Sequence, residues 1–178
     1  MFKNFFFITI TLNNWTSLLI DFPESKYIIF RSLRYFNKVK GVNIYGFVIL
    51  RDHLHLIVEI PINLTILQFI TNLKSYTSKQ ILILISEIES EYINHFNSSR
   101  ADRKNKIWKL NSQFFPILNI KTFNQKLNYI HRNPCKGNYK SVSNSEDYLY
   151  SSAYSYLLRK SRFSFLTLYG QEAKTTLS

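Results

Sequence analysis

Between Val42 and Ile60 the chain holds two apolar segments, Val42 to Leu50 and His53 to Ile60, broken only at Arg51-Asp52. A connection this short joins antiparallel strands and cannot carry a parallel crossover, so the two segments are expected to form a hairpin, stopped by Pro61. The second arm begins His53-Leu54-His55. Side chains alternate faces along a strand, so both imidazoles leave the same side, about 6 to 7 Å apart along the chain. One cation can be held at that spacing. Two of the four histidines sit here, on an otherwise apolar stretch where an unsatisfied polar ring is costly.

The hairpin falls inside a longer order of elements. Phe5 to Leu12 alternates Phe7, Thr9 and Thr11 against Ile8, Ile10 and Leu12, as a first strand does. Pro23-Glu24-Ser25 opens a helix with apolar members Ile28, Ile29, Leu33 and Phe36, ending before Gly41. After the hairpin, Asn63 is the expected cap of a long helix through Ile66, Phe69, Leu73 and Tyr76 to about Ser86. A polar stretch with a basic cluster at Arg100, Arg103, Lys104 and Lys106 leads to an extended segment, Ile107 to Phe115. Thr122 then caps a helix bearing Phe123, Leu127 and Ile130, closed by Asn133-Pro134. Strand, helix, strand, strand, helix, strand, helix is the split βαβ order of a ferredoxin-like α+β domain, an antiparallel sheet with helices on one face.

With 178 residues and no internal repeat, one domain over residues 1–158 is expected, followed by a basic tail over 159–178 that is disordered in part. The single cysteine, Cys135, rules out an internal disulfide and suits a reducing compartment. The apolar start lacks a small-residue cleavage site, and no apolar run reaches about 18 residues, so neither a signal peptide nor a membrane span is expected. A cytoplasmic location follows as the expectation. Lys and Arg number 23 against 11 Asp and Glu, a formal charge of +12, which favours polyanionic partners such as nucleic acid.

The last helix carries Leu127-Asn-Tyr-Ile-His-Arg-Asn-Pro134, with Tyr129 and Asn133 one turn apart on one face. Tyrosine, with an ordinary pKa near 10, is a poor nucleophile unless a cation, a base or an activated phosphate assists it. A cation held by His53 and His55 would give that assistance. His131, two residues from Tyr129, points elsewhere and is expected to be structural or to touch DNA.

Four ordered segments, Tyr45 to Ile57 with its His-Leu-His, Ile107-Trp108, Tyr129-Ile-His-Arg-Asn-Pro134 and Asp147 to Ala153, resemble the small single-tyrosine HUH transposases, and most of all the REP-associated tyrosine transposases. The resemblance runs from about Phe5 to Leu157. It implies that His53 and His55 bind a divalent metal, with Asn133 as a further amide ligand. It also implies that Tyr129 attacks a phosphodiester of single-stranded or hairpin DNA, forming a 5′-phosphotyrosine and freeing a 3′ hydroxyl that later rejoins. Two imidazoles with hard oxygen ligands suit Mn²⁺ or Mg²⁺ in an open site. One departure is Arg51-Asp52, where relatives commonly carry Pro-Asn. By strand parity Arg51 shares the face of His53 and can meet a phosphate.

Arg51, Arg103, Lys104, Lys109, Arg132 and Lys136 are the expected DNA contacts, and Trp108, Phe114 or Phe115 can stack unpaired bases. Two other readings stay open on the sequence. One is a metal nuclease in which water attacks, the other an inactive hairpin-DNA-binding module. Monomer and homodimer both stay open on the sequence, since a helix-borne tyrosine can serve its own site or a partner's.

Overall fold

The computed structural model describes residues 2–13, 17–96, 106–137 and 140–170. Four strands, β1 (Phe5–Thr11), β2 (Asn43–Ile49), β3 (His53–Glu59) and β4 (Gln113–Pro116), form one sheet in the order β2-β3-β1-β4. Every neighbouring pair is antiparallel. The helices are α1 (Leu18–Asp21), α2 (Glu24–Lys40), α3 (Ile66–Ile88), α4 (Ile120–Arg132) and α5 (Ala153–Leu157). This is the ferredoxin-like α+β arrangement that the element order predicts. Among the described residues, no helix is long and apolar enough to cross a membrane.

Local chemistry sets the helix ends. Gly41 takes the left-handed conformation, φ 69°, that closes α2. Thr65, not Asn63, caps α3, because its side chain and that of Gln68 complete a reciprocal capping box. Asn119, not Thr122, caps α4: its side-chain oxygen accepts from the Thr122 backbone N–H. The extended segment also shortens to β4. Trp108 keeps only an isolated bridge to Leu12, and the Lys109 and Leu110 carbonyls accept from Lys74 Nζ instead of a strand.

The helices do not share one face, and this corrects the expectation. Ile8, Ile10, Leu54, Leu56 and Val58 pack with Leu33 and Phe36 of α2 and Phe69 and Leu73 of α3. On the other side Phe5, Phe7, Val48 and Ile57 pack with Phe123, Leu127 and Ile130 of α4. The reason lies in β1 and β2, which carry apolar side chains on both faces, Phe5, Phe7, Tyr45 and Val48 toward α4 and Ile8, Ile10, Ile44 and Phe47 toward α2 and α3. A register shift between Ile44 and Gly46 sets Gly46 beneath α4, where a Cβ would stand 2.8 Å from Leu127 Cδ1. Glycine therefore permits the close seating of α4 on the sheet.

Residues 159–170, expected to begin a basic tail, also rejoin the domain. Phe165, Leu166 and Leu168 are buried, and Leu166 bridges to Ile44 in parallel, because this segment carries apolar side chains that cover the β2 edge. The rest of the expected tail, 171–178, lies outside the described residues.

Candidate active site

β1 and β3 bring the site together through their register. Thr9 lies opposite His55 and Thr11 opposite His53. The two imidazole centroids are 4.8 Å apart. Each ring is held at Nδ1: that of His55 by Thr9 Oγ1 at 2.9 Å, and that of His53 by Asp52 Oδ1 at 2.6 Å. A carboxylate only accepts, so Nδ1 of His53 is the donor and its Nε2 is left with the lone pair when the ring is neutral. His55 is 3 % exposed, and its Nε2 is buried with no hydrogen-bond partner.

An orphaned ring nitrogen of this kind is costly, and a cation would satisfy it. Burial, then the charges of His53 and Lys126, pushes the His55 pKa down to about 3, so the ring is neutral and able to ligate near neutral pH. Burial also opposes the charge on Asp52. The His53 hydrogen bond and charge, with Arg51 nearby, nonetheless hold its carboxyl below the usual range. Orientation of ligating imidazoles by carboxylate and hydroxyl partners is the usual support of a metal centre. The residues present therefore fit a divalent cation. Among the described residues no three His, Cys, Asp or Glu side chains converge, so amide or hydroxyl oxygens, water and substrate would complete the set.

Tyr129 reaches the same place from the opposite layer. Phe123, Leu127 and Ile130 anchor α4, which leaves Tyr129 49 % exposed over the sheet. Its ring centroid is 5.2 Å from that of His55 and 5.9 Å from that of Phe7, which stacks on His55 at 5.3 Å. His53, His55, Tyr129 and Lys109 thus line one open cleft of about 540 Å³. Asn133, Arg51 and Lys136 line an adjoining pocket of about 330 Å³ whose shared wall is His53.

The remaining expected residues fall differently. Leu50 N–H donates to the His53 carbonyl across Arg51-Asp52, so Arg51 belongs to a turn and strand parity does not govern it; it still flanks His53. Arg132 is exposed on α4 and lines neither cavity. Arg103 and Lys104 lie outside the described residues. Trp108 is buried and donates to Thr77 Oγ1, Phe114 packs against the larger core, and Phe115 alone of the three aromatics lines the cleft. His131 is structural: its Nε2 is 2.9 Å from Ser152 Oγ, and burial lowers its pKa to about 4.

Thr9, Asp52, Gln113 and Lys126 are site residues that the sequence reading did not single out. Two signals could have found some of them. Lys126 precedes Tyr129 by three on a helix, and Thr9 and Thr11 are the polar positions of an otherwise apolar strand.

Comparison with known proteins adds independent findings. The family model for IS200-like transposases matches residues 24–133. A solved REP-associated tyrosine transposase bound to a REP hairpin is similar with a TM-score of 0.64 at 17 % identity, over 89 % of this chain and 82 % of that one. A candidate transposase from Deinococcus radiodurans R1 gives a TM-score of 0.50 at 15 % identity, over 73 % and 90 %. At such identities the two structures establish a shared fold. No curated protein matches the chain at a significant level.

Proposed function

Since the chain belongs to the IS200-like transposase family, we propose that it is a metal-dependent single-stranded DNA transesterase in which Tyr129 is the nucleophile. The observation that carries this reading is the meeting of Tyr129 with His53 and His55 in one cleft of one chain, with 5.2 Å between the Tyr129 and His55 rings. In the proposed step Tyr129 Oη attacks the phosphorus of a DNA phosphodiester, the bond to the 3′ oxygen breaks, and that oxygen takes up a proton. The 5′ phosphate stays on the tyrosine. Attack by a different 3′ hydroxyl reverses the step and joins a new strand, so no nucleotide cofactor is consumed.

His53 and His55 would hold Mg²⁺ or Mn²⁺, with Asn133 as an amide ligand from the adjoining pocket. The bound ion would disperse charge developing on the phosphate and the phenolate. Asp52 and Thr9 fix the two rings, and α4 presents Tyr129 over them. The solved neighbour's REP hairpin supports hairpin DNA as the substrate class here. Arg51, Lys109, Arg132 and Lys136, together with Arg103 and Lys104, are the proposed contacts to its backbone.

A labelled single-stranded hairpin incubated with Mn²⁺ tests the reading. A covalent protein–DNA band that Tyr129→Phe abolishes is the expected result. Cleavage to a free 5′ phosphate without any adduct would mean that water attacks instead. DNA binding with neither adduct nor cleavage would leave only a binding module.

A further inference from the structure

The cleft beside Tyr129 contains a cation that forms no ion pair among the described residues. Lys126 lies one helical turn before Tyr129 and lines the cleft with it. Its Nζ stands 4.7 Å from the ring centroid of Phe7 and 5.9 Å from that of Phe115. No Asp or Glu lines this cleft, and Lys126 makes no ion pair among the described residues. A strongly hydrated ammonium held against aromatic faces, with no ion pair to a described carboxylate, is suited to an anion that arrives from solution.

The neighbouring ring has the complementary property. Phe115 pairs with Phe7 across β4 and β1, so the two share a face of the sheet. Phe7 is 4 % exposed and Phe115 is 51 % exposed. Burial explains the first as core. The second is a flat apolar surface open to the cleft on a strand, and its Pro116 neighbour limits edge pairing. An ammonium and an open aromatic ring about 6 Å apart match the two chemistries of one nucleotide, an anionic phosphate and a flat base.

We propose that Lys126 and Phe115 form a nucleotide subsite in this cleft, Lys126 binding a non-bridging phosphate oxygen and Phe115 stacking the attached base. This rests on the cleft being a single-stranded DNA site and adds how the strand is gripped beside the nucleophile. The subsite is independent of base identity, because every base offers a stacking face.

The two contacts have separable signatures, measured by fluorescence anisotropy with metal-free Tyr129→Phe protein. The probes are a twelve-residue oligothymidylate and an abasic oligomer of equal length. Lys126→Met should reduce the slope of log affinity against log salt by about 0.7 on both probes, as loss of one single-strand phosphate contact does. Lys38→Met, on the exposed face of α2 across the sheet, should leave the slope unchanged. Phe115→Ala should weaken oligothymidylate binding by roughly 5- to 100-fold and abasic binding not at all, with no change of slope.

An unaltered slope in Lys126→Met, or an equal fall in Lys38→Met, overturns the phosphate contact. An equal Phe115→Ala loss on both probes overturns the stacking contact. Phe115→Trp, which keeps a ring, should retain oligothymidylate binding, and its failure to do so also counts against stacking. These outcomes are independent of whether Tyr129 forms an adduct, which the wild-type protein with Mn²⁺ reports separately.

Discussion

At the scale of single residues, the chemistry of the histidine pair depends on the side chains that hold its two Nδ1 atoms. Asp52 holds Nδ1 of His53, so Asp52→Ala should weaken Mn²⁺ binding by roughly 10- to 100-fold, measured calorimetrically. Unchanged affinity would remove Asp52 from the site. Thr9→Val removes the hydroxyl bonded to the buried Nδ1 of His55 and should cost about 1–3 kcal/mol in urea unfolding while also weakening the metal. His55 and His131 have native pKa values lowered by burial to about 3 and about 4, below the ordinary unfolded value. Both rings are neutral in the fold and take up protons on unfolding, so stability is present above about pH 6.5 and is lost as pH falls toward 4. His131→Gln should flatten the dependence of the urea midpoint on pH across that window. An unchanged dependence would show that this ring does not titrate on unfolding.

At the scale of elements, the site exists because α4 lies close against the strands that carry the histidines, with the Leu127 side chain seated over Gly46. Gly46→Ala forces the end of the Leu127 side chain aside, with a cost of about 1–3 kcal/mol in urea unfolding, and lowers adduct formation if α4 moves with it. Normal adduct yield in a destabilised variant would separate α4 seating from catalysis. The elements themselves were readable: the two-residue break at Arg51-Asp52, the period of α2 and the turn between Tyr129 and Asn133 all lie within a short stretch of chain. What was not readable depended on tertiary packing. Which face α4 takes follows from β1 and β2 being apolar on both sides, a pattern that names no partner helix. The pairing of Thr9 with His55 crosses 46 positions, and the polarity of Thr9 alone gives no register.

At the scale of the whole molecule, one chain gathers the two histidines, Thr9, the tyrosine, Lys109 and Lys126 into a single cleft. The whole chain carries a formal charge of +12, and affinity for single strands should fall steeply with added salt, which titration between 50 and 200 mM would show. The family places the chain among transposases, and its own geometry supports a particular atom as the nucleophile. The most direct measurement is mass spectrometry of protein trapped with hairpin DNA and Mn²⁺, then digested with nuclease and protease. The account predicts a nucleotide-phosphate mass on Tyr129 and its absence from Tyr129→Phe. The same mass on another residue, or an equal yield of adduct from the variant, would contradict it.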